Sequence, residues 1–443
     1  MAQSTTDVIR FGTPVGVPLE ASFDAGRLTS DGGLPWLVEA EAQIGLCAAF
    51  AAEVPDWRRG PVRHSLATLI RQRVFQIACG YADQDDADEL RSDPLLKLAC
   101  GRQSANGPDL ASQPTLSRLE NAVDRRTCYR LGQALLAGYL RERGRLGAPR
   151  RILLDLDGTA DPTYGQQEGT AYHGYFRQHM YHPLLIFDGE TDQLVAAVLR
   201  PGNAHGSRGA VAVLKRIVRA VRARWPGVPI ELRADSGFAV PALYDWCERA
   251  GVGYTIGLLP NPRLEALAAP LLTEARAESE RLGGGKVRLA GEAEYRAASW
   301  SRPRRVLFKA EVLAKGPNTR FVVTTRADEP LAAYDWYVDR GTPEQWVGDL
   351  KLGCAADRLS CHRFWANQFR LLLHAAAYWL LDTLRRRLVQ RGAARLQLDT
   401  LRLRLLKVGG RVRELLPRVR LHPASGHPGE PLWSLLAARP GRP

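Results

Sequence analysis

Four carboxylates occupy positions where an apolar strand or a helix start has no structural need of them. Asp155 and Asp157, in LLDLDG, are two residues apart, so an extended strand points both to one face, and Asp157 sits at the carboxyl end of the run, just before Gly158. Asp235 stands likewise after IELRA and before SGF. Glu344 falls in the first turn of the amphipathic segment GTPEQWVGDLK, where Thr342 suits the N-cap, Pro343 the first helical position, and Gln345 completes a capping box. Taken singly, these acids read as loop or cap residues, an Asx turn before Gly237, and a complement to the helix dipole. Taken together they read differently. An ionised carboxylate in so apolar a setting is costly unless it is paired or bound to a cation. Three acids can hold two hard ions, magnesium with manganese able to substitute, and such a pair activates an attacking hydroxyl and stabilises the leaving oxygen of an in-line displacement. That is phosphodiester chemistry.

The surrounding sequence supplies elements to position these acids. RILLDLDG, QHMYHPLLIFDG and QLVAAVLRPG read as three strands, SRGAVAVLKRIVRAVRARW as a long helix, PIELRADSGF as a fourth strand, PALYDWCERAG as a helix ended by glycine, and GYTIGLL as a fifth strand. The order βββαβαβ makes an antiparallel meander followed by two parallel crossovers, a mixed α/β sheet with helices on its faces. That order is the one found in ribonuclease-H-like domains. Ligand sites of open α/β sheets collect at the carboxyl ends of strands, where Asp157 and Asp235 lie.

Composition defines the partner. Lysine plus arginine number 61 against 47 acids, a net charge of +14 with arginine dominant, which favours fork-like contacts to a polyanion. The seven cysteines are scattered and never spaced as CxxC, which fits a reducing cytoplasm rather than a disulfide framework or zinc ribbon. No signal pattern opens the chain, and the apolar run LLLHAAAYWLL is interrupted by His374, so no membrane span is expected. His173, His179 and His182 cluster between the first two strands without an evident fourth ligand, favouring packing or phosphate contact over a metal site. No GxxxxGK[ST] loop appears, so ATP use is not implied.

Outside the expected core, residues 1–147 read as a mainly helical, DNA-binding lobe. Its ASQPTLSRLENA segment, with Arg118, is either a helix that enters a groove or grips phosphates, or an ordinary surface helix. Residues 148–260 and 331–384 form the two parts of the catalytic core, separated by a β-rich insertion at 261–330 that follows from the long gap between Asp235 and Glu344. Within the insertion Trp300 lies beside Arg302, Arg304 and Arg305, suited either to stacking a base among phosphates or to packing a small core. Residues 385–443 read as a helical, basic region for tracking phosphates.

The spacing Tyr337, Arg340, Glu344, Lys351, that is Y-x2-R-x3-E-x6-K, resembles the signature around the third acid in DDE insertion-sequence transposases of the group related to family four. Seven residues are about two helical turns, which places Lys351 on the face of Glu344, near a phosphate, with Tyr337 and Arg340 reaching in from the preceding turn. LTSDGGLPWL, LDLDGTADPTYGQQEG, LRPGNAHGSRGA, LRADSGFAVPALYDWCE and AADRLSCHRFWANQFRLLLHAAAY look like the insertion-sequence family numbered thirteen-eighty, over roughly residues 20 to 430. The sequence departs from that family in showing Glu344-Gln345 and Asp349-Leu350-Lys351 where Glu-Asn and Glu-Leu-Lys are common.

The resemblance implies a DNA transposase of a bacterial insertion sequence, with Asp157, Asp235 and Glu344 as the first, second and third acids holding two magnesium ions. It implies double-stranded DNA partners, both transposon terminal inverted repeats and target DNA, a homodimer in the synaptic complex, and a cytoplasmic, nucleoid-associated protein. A ribonuclease-H-fold nuclease without strand transfer and an inactive transposase-derived DNA-binding protein are the alternatives.

Overall fold

Leucines on one side and acids on the other give strand β1 (Ile152–Gly158) two unlike faces, with Leu154 and Leu156 opposite Asp155 and Asp157. The computed structural model describes residues 8–11, 19–314, 316–415 and 418–438. The chain divides into two units, one of residues 52–55 and 120–379 and one of residues 1–51, 56–119 and 380–443.

The first unit holds β1. Helix α1 (Arg125–Arg145) precedes it, N-capped by Asp124, whose side chain accepts from Thr127 N. After β1 come the short strands β2 (Asp161–Pro162), β3 (Ala171–His173) and β4 (Gln178–Tyr181), which pair among themselves in the order β2-β4-β3. QHMYHPLLIFDG is therefore not one strand. It divides at Pro183, which has no N–H for a ladder, into β4 and the core strand β5 (Leu184–Asp188). Strand β6 (Leu194–Val198), helix α2 (Ala210–Arg224), strand β7 (Ile230–Ala234), helix α3 (Pro241–Ala250) and strand β8 (Gly253–Leu258) follow. Gly251 ends α3 in the left-handed conformation, φ 59°.

The segment before the third acid begins with a helix absent from the sequence reading, α4 (Pro262–Arg281), capped by Asn261. Its buried side is made largely of small residues, Ala268, Ala275 and Ser279, and Pro270 interrupts it, so its apolar period is faint. Strands β9 (Val287–Tyr295), β10 (Arg304–Leu313) and β11 (Gly316–Thr324) form a meander. They do not make a sheet of their own: β11 pairs antiparallel with β8, giving one eight-stranded sheet in the order β9-β10-β11-β8-β7-β1-β5-β6. β1 runs parallel to β7 and antiparallel to β5.

Helices α5 (Pro330–Val338), α6 (Thr342–Gly348) and α7 (Phe364–Gln390) complete the order, with residues 364–379 of α7 in this unit. Residues on α7 close the open edge of β6. Gln368 accepts from Leu199 N at 2.6 Å and donates to Ala197 O at 3.2 Å, while Trp379 Nε1 donates to Leu194 O at 3.1 Å.

The acid-bearing face is held by one buried pair. Asp155 lies directly across from Arg233 of β7, and the guanidinium binds it through two bonds of 2.7 Å, with the side chains 0% and 3% exposed. The remaining nitrogen of Arg233 donates to Trp336 O at 2.8 Å, and the guanidinium lies over the Trp336 ring, so α5 is fixed to this face. Asp188, at the end of β5, is satisfied similarly by Tyr139 (2.8 Å) and Arg143 (3.2 Å) of α1.

In the second unit, helices at Leu34–Ile44, Leu66–Ala78 and Pro94–Ala99 accompany a small sheet in which Gly410–Leu415 pairs with Leu28–Thr29 and with Arg418–Pro423. The basic C-terminal region is thus not wholly helical. The alternation in RVREL and RVRLHP is the period of a strand, masked in the sequence by its arginines. Among the described residues no helix is long and apolar enough to cross a membrane.

The central pair makes a stability prediction. Arg233→Ala should cost about 3–5 kcal/mol in urea unfolding, because it leaves a buried carboxylate alone, whereas the joint replacement Asp155→Leu with Arg233→Met should recover most of that loss. Equal losses in both proteins would show that no buried charge is being compensated.

Candidate active site

Two aspartates remain once Asp155 is accounted for. Asp157 and Asp235 lie one step further along β1 and just beyond β7, on the face shared by Asp155 and Arg233. Each is half-buried and is oriented locally: Asp157 Oδ1 accepts from Gly158 N at 2.9 Å, and Asp235 Oδ1 accepts from Gly237 N at 2.8 Å as it caps the short 3-10 turn Ser236–Phe238.

Glu344 arrives by a different route. After α5 the chain makes a 3-10 turn, Asp339–Gly341, and enters α6 directly; Gly341 already has helical angles, φ −60° and ψ −20°, so Thr342 begins the helix rather than capping it. Two residues beyond Glu344, Trp346 is 2% exposed and packs its ring 5.6 Å from Phe187. Phe187 is the cross-strand neighbour of Asp155, so this contact seats α6 on the acid-bearing face. Glu344 itself is exposed.

Asp157 senses the other two acids. Burial pushes the Asp157 carboxyl up to about 6, Arg340 opposes that rise, and the neighbouring negative charges of Asp235 and Glu344 add to it. Arg340 is the cation of the cluster. Burial acts against its charge, and Tyr337, Asp157 and Asp235 more than compensate, raising its pKa. Its Nη1 is buried with no hydrogen-bond partner among the described residues. Tyr337 bonds to Arg340 and lies against Gly257 of β8, where a Cβ would come within 2.7 Å of the Tyr337 hydroxyl. Tyr337 and Arg340 therefore sit in α5 and the following turn and meet the aspartates there.

Lys351 takes another direction. The chain widens into a π turn over Asp349–Gly353, and Lys351 donates to Ala160 O at 2.5 Å and Thr159 Oγ1 at 3.3 Å and pairs with buried Asp161 at 3.4 Å. It ties the end of the α6 segment to the chain leaving β1. The wide turn breaks the α-helical register on which a shared face with Glu344 depends.

Trp300 does not present a face for stacking. It is 5% exposed, with Tyr244 and Tyr295 edge-on at 5.3 and 5.5 Å and Arg304 over its ring at 5.3 Å. Arg302 and Arg304 both pair with Glu248, and Arg305 with Glu292. The packing reading of Trp300 is the one that fits, because its neighbours on β9, β10 and α3 need an aromatic filling. Arg118 is exposed on the helix Gln113–Asn121, away from these side chains in sequence and element.

Two further groups lie beside the acids, Arg200, which the sequence does not single out, and His182, which it places in a histidine cluster. Arg200 is 5% exposed and donates to His182 O at 2.6 Å, Gly206 O at 2.5 Å and Arg208 O at 3.2 Å, tying together the turn that follows β6. Burial lowers its pKa to about 10 while the charge of Asp235 supports it. His182 bonds through Nδ1 to Ala204 O at 2.8 Å; since a carbonyl only accepts, Nδ1 carries the hydrogen and, in the neutral ring, Nε2 is bare. Burial lowers the His182 pKa and favours that neutral form. Nε2 faces Gly158, at 2.7 Å from where a Cβ would stand, which explains the glycine after Asp157.

The donor set is all carboxylate oxygen, the chemistry that suits a hard divalent ion. Among the described residues no three acidic, histidine or cysteine side chains are already gathered into an ion cage. Asp157 feels the charges of Asp235 and Glu344, and Arg340 places a positive charge beside the two aspartates.

No curated protein matches the chain. Among solved structures, the cryo-EM structure of a piggyBac transposase synaptic complex with hairpin DNA is similar at 12% identity, covering 85% of this chain and 80% of that one with a TM-score of 0.42, a likeness too slight to bear on function. The family described as Transposase DDE domain, group 1, matches residues 13–439. A match that takes in all but the ends of the chain leaves no room for a second assignment: this protein belongs to the DDE transposase family.

Proposed function

We propose that this chain is the transposase of a bacterial insertion sequence, cleaving DNA at the element's ends and joining the freed 3′ hydroxyl to target DNA, with Asp157, Asp235 and Glu344 as its triad. The observation that carries the reading is that Asp157 and Asp235 stand at the carboxyl ends of β1 and β7 on one face of the sheet, and that Trp346, two residues after Glu344, seats α6 on that same face. The strand order β6-β5-β1-β7-β8, in which β6, β1, β7 and β8 run one way and β5 alone runs the other, supports a ribonuclease-H-like core. The β9–β11 segment extends that core at its far edge.

The family to which the chain belongs generally uses divalent metal ions, and Asp157, Asp235 and Glu344 are the side chains that would hold two magnesium or manganese ions here. When bound, such ions supply activation of the attacking hydroxyl and charge stabilisation for the leaving oxygen. The chain's own groups do the rest. Arg340, with a buried N–H in need of an acceptor, is placed to take a phosphate oxygen once the acids have another cation. Tyr337 orients Arg340, Arg200 keeps positive charge beside Asp235, and Trp346 holds the α6 segment in place. Arg118 and the exposed arginines of Gly410–Leu415 and Arg418–Pro423 fit contacts along the DNA backbone, and two copies of the chain would hold two ends.

Purified protein incubated with magnesium or manganese and a plasmid carrying the gene's flanking DNA should excise or transfer strands. Asp235→Ala and Glu344→Ala should lower the rate by on the order of a thousandfold or more, since several kcal/mol of charge stabilisation are at stake. Hydrolysis without joined products would instead identify a nuclease, and binding to the flanks without ion-dependent cutting would identify a DNA-binding descendant.

The raised Asp157 pKa has a calculable sign. Between the usual carboxylate value of about 4 and about 6 the unfolded chain releases a proton that the folded chain retains, so folding loses stability as the pH rises through that window. In ion-free buffer at neutral pH, Asp157→Asn should therefore melt at a higher temperature than the wild type. Magnesium should raise the melting temperature of the wild type at neutral pH, fade in effect as the pH falls through about 6, and do nothing for Asp157→Asn. Equal stabilisation of both proteins by magnesium would remove Asp157 from the ion site.

A further inference from the structure

Among the described residues, the hairpin of β3 and β4 carries aromatic rings that stand exposed. Tyr175 is 85% exposed, Tyr172 is 55% exposed and Phe176 is 37% exposed. The tip is a defined turn, because Arg177 N donates to His173 O at 2.7 Å and Arg177 takes the left-handed conformation at φ 54°. Its base is anchored as well. Gly202, in the turn bound by Arg200, packs so closely that a Cβ would stand 2.5 Å from Ala171 O, and Gly202 N donates to Gly169 O at 3.1 Å. Large rings are thus displayed on a supported hairpin rather than on a loose loop.

The rings also lead inward. Tyr175 meets Phe176 at 5.0 Å, Phe176 meets His173 at 5.0 Å and His182 at 5.9 Å, and His173 meets His182 at 5.1 Å. His182 is the ring whose Nε2 faces Gly158, next to Asp157, and which feels the charge of Asp235. A continuous series of ring contacts therefore runs from the exposed tip to the candidate acids.

From Ala171 to His179 the sequence AYHGYFRQH contains no carboxylate and one arginine, Arg177, which is exposed. His179 lies across from Tyr172 with its ring 5.7 Å away, and His173 Nδ1 is buried without a hydrogen-bond partner. Exposed π faces and a cation, with no negative charge in the segment, match an unpaired stretch of nucleic acid: bases stack on the rings and the backbone lies near the arginine.

We propose that this hairpin binds unpaired bases of DNA at the strand being cut, using Tyr175 and Tyr172 as stacking surfaces and Arg177 as the backbone contact. The role rests on DNA being the substrate, as proposed above. It takes the place that Trp300, enclosed by Tyr244, Tyr295 and Arg304, cannot fill.

The test is a fluorescence-anisotropy titration of the full chain with a duplex cut from the gene's flanking DNA and with the same duplex mismatched over its last few base pairs. The wild type should bind the mismatched duplex about tenfold more tightly or better. Tyr172→Ala/Tyr175→Ala should bind the two DNAs alike, and Tyr172→Phe/Tyr175→Phe should retain the preference, since stacking uses the ring and not the hydroxyl. Both pairs of changes are at exposed positions, and their melting curves check that the fold is kept. A preference that survives in the alanine variant, or is absent from a wild type that still cleaves the plasmid with magnesium, overturns the hairpin assignment alone. Failure of the wild type both to bind either duplex and to cleave overturns the hairpin and the DNA reading together.

Discussion

The bidentate bond between Asp155 and Arg233 is the constraint on which the site depends. It joins β1 to β7 under the acid-bearing face, and the third contact of Arg233, to Trp336 O, fixes the end of α5 to the same place. Everything that approaches the aspartates from the far side of the sequence follows from that end: Tyr337 one residue on, Arg340 in the 3-10 turn, and Glu344 in the next helix. Trp346 on Phe187 and Lys351 on the segment after β1 then hold the rest of the stretch. A polar pair inside a sheet thereby does what an apolar contact could not, since an apolar contact would locate the helix without fixing its rotation and register.

Acids on this unit fall into two electrostatic kinds. Asp155, Asp188 and Asp161 are buried and each is paired with a cation, Arg233, Arg143 and Lys351 respectively. Asp157 and Asp235 have no dedicated partner and share Arg340, whose own donors are not all satisfied. A protein selected for stability alone would neutralise one of them. Like charges are instead kept together at a sheet end, against a rise in the Asp157 pKa, which is the electrostatic pattern the proposed function calls for.

Much of this was legible in the amino-acid sequence, where the physics was local. β1, β6, β7, β8 and the helices α2 and α3 follow from apolar period and from glycine and proline punctuation, and the parity of Asp155 and Asp157 follows from strand geometry. What separates these two aspartates was not legible, because it depends on which residue of β7 comes opposite, a matter of register between segments far apart in the chain. The same holds for Trp300, whose arginine neighbours suggest a nucleic-acid surface until Glu248 and Glu292 are seen to pair with them. Lys351 was misplaced by a single wide turn, and the C-terminal hairpin was hidden because alternating arginines lower the apolar signal that usually announces a strand. Pro183 is a local cue of another kind, a break in a run whose two halves belong to different sheets.

The closed edge at β6 has a consequence for assembly. Gln368 and Trp379 occupy backbone groups that would otherwise offer a template to another strand, while β9 at the opposite end keeps an outer edge lined with Arg288, Glu292 and Glu294. The sheet is therefore polarised: it is more readily lengthened at one margin, which is the margin where the β9–β11 meander was added. With those groups taken, β6 offers a second copy of this chain a poorer template for strand pairing than a bare edge would.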